Sequence, residues 1–384
     1  MKSTVWAELV TAIHASSHPT VVAVTGGGSK AISQLLEIPG ASQTVLEGVI
    51  PYSASALASW LGGAPDQSSC AGTARAMAMA CWMRARKLAV DTDPFALIGL
   101  AATASLASNR AKRGAHRIHV AVQTATSTSS VALVLTKGQR PRKKEEWLAA
   151  KLLLLTLGQC CDVPTDTAAE ALQSQLDDGE QIERCLQQAE PAWTDLLLGE
   201  RKHTALPSPD VPVPQIVFPG SFNPPHVGHH RMAQVAAEQT GEDVVYELSM
   251  TNVDKPPLDY MEIARRFQLL QALDSRAVLL LTDALTFRAK SELFPGCTFV
   301  VGADTMLRIA DARYYAGDRA SYDEAVREIA ERGCRFLVFG RQVDGRFRVL
   351  SDLSIPAHLR DLCDEVDAKE FRQDISSSGI RRHG

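Results

Sequence analysis

Two histidines, His226 and His229, stand three residues apart in Pro219-Gly220-Ser221-Phe222-Asn223-Pro224-Pro225-His226-Val227-Gly228-His229-His230. A short apolar run, Gln215 to Phe218, precedes this stretch, and a helix-like segment from Arg231 to Glu238 follows it. A strand that ends in a glycine-containing turn and enters a helix presents backbone N–H groups to an anion. Two imidazoles at the mouth of that helix can point at one phosphate chain, so the chemistry is that of a nucleoside triphosphate site. Two further stretches fit the same purpose. Phe299-Val300-Val301-Gly302-Ala303-Asp304 reads as a strand ending in small residues and a carboxylate. Ile375-Ser376-Ser377-Ser378-Gly379-Ile380-Arg381-Arg382 collects hydroxyls and a fixed cation before a helix start.

These residues need a frame, and the sequence after Gln215 supplies one. Short apolar runs at Gln215–Phe218, Val244–Leu248, Val278–Thr282, Thr298–Val301 and Arg335–Phe339 read as strands buried on both faces of a parallel sheet. Ile263, Phe267 and Leu270 lie at helical spacing within Met261–Leu273. The alternation predicts a Rossmann-like, doubly wound α/β domain over 215–384, with ligands at the C-terminal ends of its strands. Pro207, Pro209, Pro212 and Pro214 make the stretch before it an extended connector. A second α/β domain of mixed sheet is expected over 1–160, followed by a helical segment and linker over 161–214. In the first domain Thr20–Val24 reads as a strand feeding Thr25-Gly26-Gly27-Gly28-Ser29, and Ala71–Arg86 as a helix. His116–Gln123 and Ser130–Thr136 read as a hairpin, and Lys143–Leu157 and Ala168–Gln188 as helices.

Composition narrows the function classes. A chain of 384 residues with 45% hydrophobic and 22% charged residues is an ordinary globular protein large enough for two domains. Its net charge of -4 argues against a nucleic-acid-coating role. None of the eight cysteines forms a C-x-x-C pair, so a zinc site has no support, no metal ligand is assigned, and a reducing compartment is expected. Met1–Val10 lacks a secretory layout, and Trp147–Leu157 is too short to span a bilayer. The expectation is a cytoplasmic protein with no membrane partner.

The histidine stretch, read as His226-Val227-Gly228-His229, together with the terminal Ile-Ser-Ser-Ser-x-Ile-Arg box, resembles the nucleotidylyltransferase superfamily. Ser378 stands where that superfamily usually has threonine and keeps the hydroxyl. Gly220-Ser221-Phe222-Asn223-Pro224-Pro225, Asn252-Val253-Asp254-Lys255-Pro256-Pro257, Gly302-Ala303-Asp304-Thr305 and Arg313-Tyr314-Tyr315 look most like the nicotinamide/nicotinate mononucleotide adenylyltransferases. The resemblance implies transfer of AMP from ATP, with magnesium, to a pyridine mononucleotide, releasing pyrophosphate, in NAD biosynthesis. It makes His226, His229 and Arg381 the catalytic residues. Gly220, Ser221, Phe222, Gly228, Gly302, Asp304, Ser376, Ser377 and Ser378 would line ATP, and Asn252 and Lys255 would meet the mononucleotide. Phe222, Tyr314 and Tyr315 are candidates for a shelf under the pyridine ring. Another phosphorylated acceptor, with adenylyl or cytidylyl transfer, and a non-catalytic nucleotide sensor are the alternatives.

The first domain resembles the C-terminal domain of the CinA family, which can hydrolyse the amide of nicotinamide mononucleotide. The carrying residues are Val21-Val22-Ala23-Val24-Thr25-Gly26-Gly27, Ile38-Pro39-Gly40-Ala41-Ser42 and Gly48-Val49-Ile50-Pro51-Tyr52-Ser53. The family's nucleophilic serine falls on Ala23, its lysine near Leu57, and its phosphate loop around Ala101–Ala104. The resemblance therefore implies a domain without amidase activity, serving binding, regulation or homo-oligomer formation.

Overall fold

The structure is a computed structural model describing residues 2–109, 114–250, 258–315, 317–343, 345–373, 375 and 377–383. Its contacts divide the chain into two units. The first contains residues up to Thr194 and also the described residues 258–262, and the second contains the remainder from Asp195 onward.

In the first unit α1 (Lys2–Ala15) leads to β1 (Thr20–Thr25), α2 (Ser29–Glu37), α3 (Ala41–Thr44) and β2 (Val45–Val49). Then come α4 (Ala54–Leu61), α5 (Ala71–Leu88), β3 (Ile98–Ser105), β4 (His116–Gln123) and β5 (Ser127–Leu135). α6 (Arg142–Cys160), α7 (Asp166–Gln173), β6 (Ile182–Gln188) and α8 (Pro191–Leu198) complete this half of the sequence. The sheet order is β2-β1-β3-β4-β5-β6, with β2, β1 and β3 parallel and the rest antiparallel. Val22, Val24, Leu100, Ala102, Ile118 and Val120 bury one face of it against Leu9, Ile13, Leu35 and the leucines of α6. On the opposite face α5 lies very close to β3. A methyl group on Gly99 would sit 2.1 Å from the Ala78 carbonyl oxygen and 2.4 Å from the Trp82 nitrogen, so only glycine fits.

The expected single helix over Ala168–Gln188 is corrected: α7 ends at Gln173, and Ile182–Gln188 is the edge strand β6 paired to β5. Leu172 is the fully buried residue of that stripe and belongs to α7. The stretch of 161–214 also carries more than helix and connector. β6 joins the first sheet, and β7 (His203–Leu206) pairs antiparallel with a strand of the second.

In the second unit β8 (Ile216–Pro219), α9 (Val227–Thr240), β9 (Val244–Ser249), α10 (Tyr260–Leu273) and β10 (Leu279–Thr282) come first. α11 (Phe287–Leu293), β11 (Thr298–Gly302), α12 (Ala303–Ile309), α13 (Arg319–Glu331) and β12 (Arg335–Phe339) follow. The chain closes with the hairpin β13 (Arg341–Val343) and β14 (Arg346–Arg348), then α14 (Ala357–Arg360), β15 (Cys363–Glu365) and α15 (Ser377–His383). Its sheet runs β15-β12-β11-β8-β9-β10-β7, parallel except for β7. From β8 the chain winds outward through β9 and β10, then returns to the other side of β8 to add β11, β12 and β15. The direction therefore reverses between β8 and β11, where a doubly wound sheet opens a crevice at its strand ends. The turn after β8 and the Gly302–Asp304 corner after β11 flank that crevice.

Candidate active site

The β8–α9 turn is held by hydrogen bonds with β9, α10 and α15. The Gly220 N–H donates to the Glu247 carbonyl at 2.9 Å. Arg266 Nη1 donates to the Ser221 carbonyl at 2.7 Å, and Arg265 Nη2 to Asn223 Oδ1 at 2.6 Å. From α15, Ser377 Oγ donates to the Pro224 carbonyl at 2.9 Å, and Arg381 Nη1 donates to the Asn223 carbonyl. Phe222 sits at φ 44°, a left-handed conformation unfavourable for a bulky residue. Its ring is 1% exposed and packs edge-on against Phe218, Tyr246 and His229. Phe222 is thus a packing anchor, and its ring is closed to a pyridine. Gly220 makes room for it, since a methyl there would meet the Phe222 ring at 2.5 Å.

The two histidines meet at the start of α9. His226 is the N-cap, and its ring stacks on that of His229 at 3.7 Å between centroids. The His226 backbone N–H donates to His229 Nδ1 at 3.2 Å, which leaves the neutral His229 ring carrying its proton on Nε2. His226 is 4% exposed, and among the described residues neither of its ring nitrogens has a hydrogen-bond partner. A buried imidazole with both nitrogens orphaned is costly without a ligand to receive it. Burial pushes the His226 pKa down to about 4, helped by the charge of Arg341. Burial, then His226 and Arg341, push that of His229 down to about 3. Both rings are therefore neutral hydrogen-bond donors near pH 7, placed at the positive end of a 14-residue helix.

Gly228 is fixed by the same crowding. A methyl on it would lie 2.9 Å from Ile375 Cγ2 and 3.0 Å from His226 Nδ1. Ile375 opens the terminal serine box, so the first and last boxes touch across Gly228. Gly302 caps α12, where a methyl would meet Asp304 Oδ1 at 2.6 Å and Arg341 Cγ at 2.8 Å. Asp304 stands in the first turn of α12 with its carboxylate 55% exposed.

The structure thus gathers Gly220, Ser221, His226, Gly228, His229, Ser377 and Arg381 around one turn, and places Gly302 and Asp304 beside Arg341. Ser378 lies in α15. Asn252, Lys255 and Ser376 lie outside the described residues. Tyr314 is 39% exposed, whereas Tyr315 packs edge-on against Tyr322. Arg265, Arg266 and Arg341 escaped the sequence reading. The signal for Arg341 was its place directly after Gly340, at the end of a parallel strand.

Near the crevice the interior holds a second polar group. Lys290 Nζ donates to Glu247 Oε1 at 2.6 Å, Ser249 Oγ at 2.8 Å and the Ala284 carbonyl at 2.9 Å. Its three donors are used, so it braces β9, the loop after β10 and α11, and is closed to a ligand.

In the first unit the glycine-rich loop after β1 is filled from within. Glu146 Oε1 accepts from the Gly28 N–H at 3.0 Å, Ser29 Oγ at 3.0 Å and the Lys30 N–H at 3.4 Å. Ala23 is fully buried and Leu57 is 2% exposed.

Residues 217–383 match the cytidylyltransferase-like family. A Schizosaccharomyces pombe protein named "Putative nicotinamide mononucleotide adenylyltransferase" is 30% identical over 164 residues, which are 39% of this chain and 60% of that protein. The chain thus spans less than two thirds of that relative. Among solved structures, the competence/damage inducible protein CihA from Agrobacterium tumefaciens is 16% identical, covering 45% of this chain and 95% of its own, with a TM-score of 0.31. A competence-damaged protein (CinA) superfamily member from Escherichia coli is 14% identical, covering 42% and 90%, with a TM-score of 0.33.

Proposed function

We propose that the second unit transfers AMP from Mg·ATP to nicotinamide or nicotinate mononucleotide, forming the dinucleotide and releasing pyrophosphate. The observation that carries this reading is the stacked, neutral His226–His229 pair at the start of α9, with the buried His226 ring nitrogens lacking a hydrogen-bond partner among the described residues. In the transfer, a phosphate oxygen of the mononucleotide bonds to the α-phosphorus of ATP. The bond from that phosphorus to the α–β bridging oxygen breaks, and its electron pair leaves with pyrophosphate. The protein's work is to hold both anions in line and to stabilise charge as it develops on the leaving group. Neutral imidazoles serve that end by donating hydrogen bonds without gaining or losing a proton. The turn amides and the α9 terminus would cradle the phosphates, Gly302 and Asp304 would face the adenosine, and Arg381 would exchange its Asn223 carbonyl for a phosphate oxygen. Magnesium would enter on the phosphates of ATP rather than in a protein cage.

The pyridine acceptor rests on the Asn-Val-Asp-Lys and Gly-Ala-Asp-Thr stretches and on the resemblance to the fission-yeast relative. The test is dinucleotide formation by the full chain with Mg·ATP and each mononucleotide offered separately. Product with either supports the function, and the ratio of rates assigns the acceptor. Turnover with neither, in protein that binds Mg·ATP, refutes it.

A further inference from the structure

The two edges of the first sheet differ. At one end β2 has five residues, β1 slips register against it between Thr20 and Val21, and Arg84 of α5 closes on Glu47 at 2.8 Å. Short length, irregular register and charged side chains are the means by which an edge avoids further pairing. At the other end β6 has seven residues, Ile182–Gln188, and pairs with β5 in unbroken register. It contains neither proline nor lysine. Glu183, Arg184, Cys185 and Leu186 are exposed, and among the described residues no strand pairs with the outer side of β6. Peptide groups alternate between the two sides of a strand, so those of β6 that face away from β5 form a template for another strand.

The occupant that fits is a second copy of the same strand. Two identical strands pair antiparallel about a two-fold axis normal to the sheet, which sets one residue opposite its own copy. Centred on Glu183 or on Arg184, the pairing puts like charges face to face, which is destabilising. Centred on Leu186, it leaves Ile182 and Glu183 without partners. Centred on Cys185, it matches the whole strand: Ile182 meets Gln188, Glu183 meets Gln187, and Arg184 meets Leu186. The Glu183 carboxylate then accepts from an amide. Arg184 Nη1 already donates to Gln159 Oε1 of its own α6 at 2.9 Å, so its aliphatic stem is what lies beside Leu186, which is otherwise 62% exposed.

We propose that β6 pairs with β6 of a second copy of this chain, antiparallel and centred on Cys185, so that the two first-unit sheets run on as one. Each chain offers one such edge, so the assembly closes at two. Cys185 lies opposite its own copy at about 4.5–5.5 Å between Cα atoms, within the span of a disulfide. Such a dimer needs nothing from the transfer chemistry.

The test is the mass of the full chain by light scattering in reducing buffer, with circular dichroism to show that each variant folds. Wild type is expected at the mass of two chains. Cys185→Lys, which sets two ammonium groups face to face, is expected at the mass of one. Gln187→Glu, opposite Glu183 of the second copy, is expected to weaken the dimer about tenfold or more, and adding Glu183→Arg to restore it. Diamide, taking two electrons and two protons from two Cys185 thiols, is expected to give a linked dimer whose bridge maps to Cys185 and is absent from Cys185→Ser. Wild type at the mass of one chain, or above that of two, overturns the proposal. So does a dimer that Cys185→Lys leaves intact, or one that diamide bridges elsewhere. Should Cys185→Lys fail to fold, the other pair decides: a dimer untouched by Gln187→Glu, or not restored by Glu183→Arg, overturns the proposal.

Discussion

At the scale of single residues the site runs on neutral imidazoles, and this has a pH signature. In the unfolded chain a histidine titrates near about 6.5, while the folded protein holds His226 at about 4 and His229 at about 3. As pH falls below the unfolded value, the unfolded chain takes up protons that the folded one refuses. Stability from this pair is therefore greatest above the unfolded pKa and is lost as pH drops toward the folded values. Urea unfolding should show a steeper loss in wild type than in His226→Asn over that window, and equal slopes would contradict the assignment. Transfer activity should show no inflection near the ordinary histidine pKa. Gly228→Ala drives a methyl into the contact between His226 and Ile375, and is expected to lower turnover about tenfold to a hundredfold with the thermal midpoint little changed. His226, Gly228 and His229 were legible because spacing around a helix start is written in sequence. The three arginines were not, because a guanidinium on a long stem acts far from its own backbone position. The ring of Phe222 was legible only as aromatic, and its burial among Phe218, Tyr246 and His229 depends on a backbone turn that no pattern encodes.

At the scale of elements, the parallel strands of the second unit were readable because burial on both faces makes them continuous apolar runs. The edge strand β6 was not. Its sequence, Ile182-Glu183-Arg184-Cys185-Leu186-Gln187-Gln188, is mostly exposed and polar, and only pairing to β5 makes it a strand. Two packing contacts yield stability predictions. Gly99→Ala puts a methyl into the backbone of α5 and should cost about 3 kcal/mol, the upper end of the usual overpacking range, seen as a lower urea midpoint with the catalytic constants of the folded fraction unchanged. Lys290→Met leaves Glu247 buried with two hydroxyl donors but no counter-charge, and should cost about 3–5 kcal/mol by the same measurement. An unchanged midpoint in either variant would mean that the close approach or the buried pair carries no stability.

At the scale of the whole molecule, two α/β units share one chain, and the proposed transfer chemistry belongs to the second. The first keeps a glycine-rich loop filled by its own Glu146, and buried Ala23 and Leu57 stand where the CinA resemblance expects a nucleophile and a base. The full chain should therefore release no ammonia from nicotinamide mononucleotide, and Ala23→Ser alone should not change this, because the lysine is missing as well. Ammonia release by wild type would reverse that reading. The most direct test of the central claim compares wild type with His229→Ala for acceptor-dependent pyrophosphate release from Mg·ATP, with Mg·ATP affinity measured alongside. The predicted result is turnover in wild type and a loss of about a hundredfold or more in His229→Ala, while Mg·ATP still binds. Equal turnover in the two proteins would contradict the account.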